Sequence, residues 1–544
     1  MQTSFASMVS LPLLEGVTIW VSVIFVIAGC FEHSLLSSQH IICIVCWFLT
    51  QIVIMIWRTV SRLPGSNSTQ SSIYRPGVDD GLWCCLLVPL TVLGGITRVY
   101  KTQKESHSLD AATLSNDLVF SLISSTTVLS SSRHPCLAFT LVWLLPLSVR
   151  LEPVNIVLLV LLCLSSHLCV RRIPVILPKS FSVGEIVVLV QLVSLITWRS
   201  VSCLRHLLMG NNTELPQDVS VVAVIGFFSA AMATTAALYF YNNRQPLFFF
   251  VTYGVVALVL AFPALYLYLK MDPISWILIY LFTKQKRIFL LLYWLVCSVT
   301  AVAVVWITKF DDNRRISRMI QTDSHPLNYI HIKNIAPRTQ VESRHSTVIR
   351  KYFHFLALGV YAPGLILDVS FLFLGSVVAL VVLVLLEAIR VAKVPPLGPV
   401  LDEAFRLFVD EKDAGKCIFT HIYLLLGLSA PIWISYSICN TVSLLPLYSG
   451  VLSLAVGDTA ASVGGSLFGR HKWPGTKKTI EGTLCCVLSQ LAFLFLLALL
   501  GILALPNVLF LTIAVILVSC YEAFTLQIDN LVLPLLTFAL LSVL

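Results

Sequence analysis

The residues best equipped for chemistry lie together in one stretch, 457–483, of a chain that is otherwise strongly apolar. Asp458, Ala461, Gly465 and Gly469 follow one another at spacings of three, four and four, which puts them on one stripe of a helix. A stripe with an acid at its start and no bulk below it lets backbone or phosphate approach closely. The same spacing also suits a small-xxx-small packing seam between membrane helices. Pro474-Gly475 then reverses the chain and presents Lys477 and Lys478, followed by Thr479, Glu481 and Gly482. Adjacent lysines supply charge for a polyphosphate, and carboxylates supply magnesium ligands or a proton acceptor. A carboxylate at a membrane edge needs a partner, and a metal ion is one candidate. The stretch therefore reads as a site for a metal-bound polyphosphate. It is not a P-loop, because Arg470-His471 stands where Lys-Ser/Thr is required. No protein-kinase HRD or DFG set is present either.

The elements that must position these residues are membrane helices. Hydrophobic residues make up 57% of the 544 and charged ones 12%, about half the share found in soluble domains. With a mean hydropathy of +0.90, too little polar surface exists to cover a soluble globule. Apolar runs long enough to cross a bilayer recur at 12–30, 39–57, 155–170, 219–241, 246–269, 287–307, 371–389, 417–437, 483–505 and 507–526. Shorter or more polar candidates lie near 82–97, 117–149, 184–200, 352–367, 441–456 and 530–544. The expected fold is an all-α, polytopic transmembrane helix bundle of about 15–17 spans. The first run has no basic n-region and no small-residue cleavage site after it, so it is expected to be a retained span. The fifteen cysteines are scattered through apolar segments and read as small core residues.

Charge divides the chain into three parts: a bundle over 1–307, a basic loop over 308–350, and a region over 351–544 that carries the loop 458–483. Segment 309–351 holds nine basic and four acidic residues within a formal net charge of +9, which marks it as cytosolic. It also suits contact with anionic lipid, whereas nucleic-acid binding is not expected. Within the first part, Ser182 and Glu185 have capping-box spacing. Asn67 and Asn211 match the glycosylation acceptor pattern, which is common by chance.

After the basic loop, polar residues collect at span ends. Arg350, Lys351 and His354 share a helix face. Glu387, Arg390 and Asp410-Glu411-Lys412-Asp413 follow, with His421 about a turn into the next span. Glu522, Gln527, Asp529 and Asn530 close the series. Pairs of apolar runs separate these clusters, so an even number of crossings returns the chain to the same face each time. All four clusters are expected on one side.

The pattern Asp458-x2-Ala461-x3-Gly465-x3-Gly469-x7-Lys477-Lys478-Thr479-x-Glu481-Gly482, with Trp473-Pro474-Gly475-Thr476 inside it, resembles the CTP-binding signature of the dolichol kinase family. Arg350-Lys351-Tyr352-Phe353-His354, Asp410-Glu411-Lys412-Asp413 (with Lys for the family's Arg), Thr420-His421-Ile422-Tyr423-Leu424-Leu425-Leu426-Gly427 and Thr525-Leu526-Gln527-Ile528-Asp529-Asn530-Leu531 are similar to further elements of that family. The resemblance covers roughly residues 345–535. It implies CTP-dependent phosphorylation of the terminal hydroxyl of dolichol in the endoplasmic reticulum membrane, with a cytosolic site and Mg²⁺ as cofactor, giving dolichyl phosphate for protein glycosylation.

In that reading Asp458 helps bind Mg²⁺ on CTP, and Lys477 and Lys478 neutralise the phosphates. Ala461, Gly465, Gly469, Thr479 and Gly482 belong to the nucleotide-binding signature. Glu481, Asp529, Glu522 or Asn530 complete the metal shell, one of these carboxylates accepts the alcohol proton, and His354 acts as a base or from behind the ligands. Two rivals remain: a membrane cytidylyltransferase making a CDP-lipid, which releases pyrophosphate, and a transporter or scaffold that binds an ion.

Overall fold

The computed structural model describes residues 2–32, 38–61, 73–76, 78–103, 121–123, 153–208, 219–241, 246–322, 341–405, 413–438 and 443–544. Asn67, Asn211, Asp410, Glu411 and Lys412 lie outside the described residues. The first half contains α1 (Gln2–Glu32), α2 (Ser38–Ser61), α3 (Leu87–Gln103), α4 (Pro153–Ile176), α5 (Val183–Leu208), α6 (Val219–Tyr241), α7 (Pro246–Leu269), α8 (Pro273–Phe282) and α9 (Gln285–Thr322). The second half contains α10 (Val341–Leu367), α11 (Val369–Val391), α12 (Leu397–Phe405), α13 (Thr420–Ile438), α14 (Leu444–Leu447), a π-helix (Val451–Asp458), α15 (Thr459–Phe468), α16 (Ile480–Leu499), α17 (Val508–Phe524) and α18 (Asp529–Ser542).

Among the described residues, ten helices are long and apolar enough to cross a membrane, and five more apolar helices are shorter. No strand occurs among them, as expected where lipid offers no partner for open backbone groups. Polar caps mark several entries: Asp368 accepts from the Phe371 amide at 3.0 Å, and Asn507 from that of Leu509 at 2.9 Å.

Burial separates inner from outer helices. The spans in α7 and α9 each bury only 6% of their apolar window, so their side chains face outward, whereas Leu82–Val99 buries 89%. Helix α18 is buried along nearly its whole length and packs against α3, α13 and α17. A Cβ at Gly94 in α3 would lie 2.7 Å from the Ala539 carbonyl oxygen, and one at Gly427 in α13 only 1.9 Å from that of Asn530. Glycine at both positions lets neighbouring backbones touch the central helix.

Residues 1–307 and 351–544 share one core, since a continuous buried cluster runs from Ile19 and Trp83 to Leu536 and Val543. The basic segment is not a loop over all of 308–350: α9 continues to Thr322 and α10 begins at Val341, leaving 323–340 outside the described residues. The apolar run 441–456 is also broken, into the four-residue α14 and the π-helix that leads directly into α15.

Candidate active site

The π-helix ends at Asp458, and π-turns are rare insertions that often accompany functional positions. Gly457 permits the close packing here, because a Cβ would meet the buried Gln490 amide nitrogen at 2.8 Å and the Cys486 sulfur at 3.1 Å. The Asp458 carboxylate is 13% exposed and faces α10, where Lys351 Nζ donates to Oδ2 at 2.6 Å and to the Asp458 carbonyl at 3.2 Å. His354, one turn further along the same helix, brings Nε2 to 3.5 Å from Oδ2. The shared face of Lys351 and His354 was legible in the sequence. Lys351 as the direct partner of Asp458 was not.

Of the expected stripe, Ala461 and Gly465 lie in α15, while Asp458 ends the π-helix and Gly469 is the extended C-terminal cap. The surroundings of the stripe favour the packing seam. A Cβ at Gly465 would lie 3.0 Å from Thr479 Oγ1, and one at Gly482 would lie 2.8 Å from the Ala461 carbonyl oxygen. Thr479 caps α16 by accepting from the Gly482 amide at 3.2 Å. Ala461, Gly465, Gly469, Thr479 and Gly482 thus join α15 to the start of α16, and protein already fills the space beside Gly465 and Gly469.

Between these helices the chain makes a tight hairpin. Trp473-Pro474-Gly475-Thr476 is its turn, with Gly475 at φ 75° and the Thr476 amide donating to the Trp473 carbonyl at 3.2 Å. The Trp473 amide donates to the Lys478 carbonyl at 3.0 Å, and that of Ile480 to the His471 carbonyl at 2.8 Å. The Trp473 indole packs edge-on against Phe524 at 5.1 Å between ring centres, docking the hairpin on α17.

The two lysines part company here. Lys477 is exposed, whereas Lys478 is partly buried and donates to both the carboxylate and the backbone carbonyl of Glu522. Burial is the strongest influence on the Lys478 ammonium and opposes its charge. The Glu522 and then the Asp529 carboxylates outweigh it, so the pKa is raised. Glu481 departs from the expected metal shell: its Oε1 lies 2.6 Å from His471 Nδ1, and the His471 amide donates to both carboxylate oxygens. Its position at the foot of the hairpin makes it a brace for that loop.

Asp529 opens α18 and is partly buried, and its charge acts on both Asp458 and Lys478. The neighbouring Asn530 is buried, its carbonyl against Gly427. Thus α10, the π-helix, the hairpin and the α17–α18 connector bring Lys351, His354, Asp458, Lys478, Glu522 and Asp529 into one charged cluster.

Glu387 and Arg390 anchor a second set of polar contacts. Arg390 donates to Glu387, to Asp402 at 2.9 Å and to the Lys416 carbonyl at 2.7 Å, while Glu387 accepts from the Ile418 amide at 2.7 Å. Asp413 accepts from the Phe419 amide and the Thr420 hydroxyl, fixing the start of α13. Glu387 and Arg390 thus tie α11 to α12 and to the segment that leads into α13.

Magnesium bound to a nucleotide takes only one or two protein carboxylates, the rest of its shell coming from phosphate and water. Asp458 and Asp529 lie within electrostatic reach of each other and have that donor chemistry. Among the described residues, no group of three or more His, Cys, Asp or Glu side chains forms a complete metal cage. The set fits a metal carried in by a polyphosphate, with lysines on hand for the phosphate oxygens.

A family model described as Dolichol kinase matches residues 137–427. The chain is 33% identical to a dolichol kinase of Mus musculus over 382 residues, which is 67% of this chain and 66% of that protein. It is 33% identical to one of Homo sapiens over 378 residues, 67% of this chain and 65% of the relative. Identity to dolichol kinase EVAN of Arabidopsis thaliana is 34% over 275 residues, 49% of this chain and 43% of that one. The chain spans just under two thirds of the length of the mammalian relatives it matches. No solved structure matches it. The family match starts well before the 345–535 region read from the motifs and takes in Ser182 and Glu185. It ends ahead of Asp458.

Proposed function

This chain belongs to the dolichol kinase family, and on that premise we propose that it transfers the γ-phosphoryl group of CTP to the terminal hydroxyl of dolichol. The products are dolichyl phosphate, for use in protein glycosylation, and CDP. The reaction is assigned to the cytosolic face of the endoplasmic reticulum membrane. One observation carries the reading: two cations, Lys351 and Lys478, are held against the carboxylates of Asp458 and Glu522, and the Asp529 charge bears on both Asp458 and Lys478.

Such pairs are ready to exchange partners. CTP phosphates take over Lys351 and Lys478, and the released Asp458, with Asp529, is then available to Mg²⁺. The metal supplies charge neutralisation on the phosphates. Phosphoryl transfer depends mainly on positioning and charge, which this cluster offers at the ends of membrane helices. The dolichol oxygen bonds to the γ-phosphorus as the bond to the CDP oxygen breaks, and the alcohol proton passes to a neighbouring carboxylate or to His354. A substrate whose tail stays in the bilayer needs a site at such a depth.

The test is turnover by the purified chain with dolichol and CTP labelled at the γ-phosphate, with and without Mg²⁺. Labelled dolichyl phosphate and CDP are expected. Release of pyrophosphate with a CDP-lipid would instead establish the cytidylyltransferase, and no label transfer at all would remove the proposed reaction.

A further inference from the structure

The connector that carries Asp529 is held chiefly by residues from far earlier in the chain. Glu185 is fully buried and accepts at Oε1 from the Ile528 amide at 3.0 Å and at Oε2 from the Ser182 amide at 2.9 Å, while Arg75 donates to Oε1. Gln527, the residue before Ile528, is also fully buried. Its Nε2 donates to Asp79 Oδ1 at 2.5 Å, and its Oε1 accepts from the Ser182 hydroxyl at 2.5 Å. A Cβ at Gly81 would lie 2.5 Å from the Gln527 amide, so backbone presses on this side chain as well. Further back, Glu15 accepts from Thr525 Oγ1 at 3.0 Å and from the Tyr521 hydroxyl at 2.9 Å, on either side of Glu522 in sequence.

A helix start as ordinary as the Ser182–Glu185 capping box needs one carboxylate oxygen. Here the second oxygen reaches across to another segment. Burying a carboxylate and a guanidinium together is costly and is not by itself a route to stability. The pair is spent on fixing one backbone amide, adjacent to a carboxylate that acts on both Asp458 and Lys478.

We propose that Glu185 and Gln527 are positioning residues that set Asp529, so that the phosphoryl-transfer site is completed from the first half of the chain. This rests on the reading of Asp529 as part of that site. A displacement of about 1 Å at a reacting group is enough to cost on the order of 10²-fold in rate. The substitutions are Glu185→Gln, which keeps an acceptor oxygen but gives up the charge facing Arg75, and Gln527→Met, which leaves the Arg75–Glu185 pair intact.

The full chain, in detergent, is measured in two ways. Hydrogen exchange over peptides containing 525–531 reports the connector directly and needs no turnover. Half-saturating CTP and Mg²⁺ report the site. Gln527→Met is expected to speed exchange at 525–531 more than elsewhere in the chain and to raise half-saturation about tenfold or more. Glu185→Gln is expected to do the same with a lower thermal midpoint, because Arg75 is left buried without its charged partner. Unchanged exchange in both variants overturns the clamp. Faster exchange with wild-type half-saturation overturns the positioning role alone and leaves the proposed activity standing. A wild-type chain that makes no dolichyl phosphate from CTP overturns both.

Discussion

At the scale of single residues, the decisive contacts are those of Asp458 and Lys478. Lys351 and His354 approach Asp458 from α10, and Asp529 acts on it from the start of α18. If Asp458 and Asp529 serve one magnesium–CTP unit, Asp458→Asn and Asp529→Asn each remove on the order of 10²-fold or more of turnover per folded molecule. The double variant then loses little beyond either single, because residues acting as a unit are not additive. Independent, multiplying losses would place them in separate roles. Lys478 carries a structural burden too, since Lys478→Met leaves Glu522 buried without its cation at a cost of about 1–3 kcal/mol. Adding Glu522→Met restores the thermal midpoint, as apolar replacement of a buried pair often does, but not turnover. A double variant that turns over normally would take the pair out of the chemistry.

At the scale of elements, the α17–α18 connector has a titratable contact outside the membrane spans. Burial first, and then the Asp80 carboxylate, raises the Asp79 pKa from 3.8 to about 6, against the hydrogen bond from Gln527. A carboxyl that holds its proton more tightly when folded contributes stability below its unfolded pKa. That contribution is lost as pH rises through the folded value, here between about 4 and 6. Asp79→Asn keeps an acceptor for Gln527 and removes the titration. Its thermal midpoint is expected to gain on the wild type as pH climbs from 5 to 7, with the two converging at lower pH. Parallel curves across that range would show that Asp79 does not titrate there.

This contact also shows where sequence reasoning stops. Helical spacing was enough to place Lys351 beside His354, to lay Ala461 and Gly465 along one stripe and to turn the chain at Pro474-Gly475. Those features depend on residues close in sequence. Glu185 meeting Ile528 depends on packing between segments 343 positions apart, which no local period encodes. The same limit explains Glu481: its type and spacing suit a metal ligand, and only the fold turns it to His471.

At the scale of the whole molecule, the charged cluster sits at one end of the bundle, and contacts show which other segments share that end. Lys351, Asp458, Lys478, Glu522 and Asp529 draw five segments together there. The turn near Lys179 joins them, because its amide donates to the Ile73 carbonyl at 2.7 Å beside the Arg75–Glu185 pair. The opposite end is marked by Asp368, between α10 and α11, which accepts from Arg287 Nε at 2.9 Å near the start of α9. Helix α9 therefore starts at the far end and carries the chain toward the basic segment at the charged end, where the excess of Lys and Arg predicts the cytosol. In sealed vesicles with the cytosolic face outward, single cysteines at 179 and 472 should react with an impermeant thiol reagent over the background of native thiols. A cysteine replacing the exposed Lys284 should react only after the vesicles are opened. Labelling of 284 and 472 from the same side would contradict the arrangement of α9 and α10. Protection of 472 with labelling of 284 would keep the bundle and invert it, moving CTP use to the lumen.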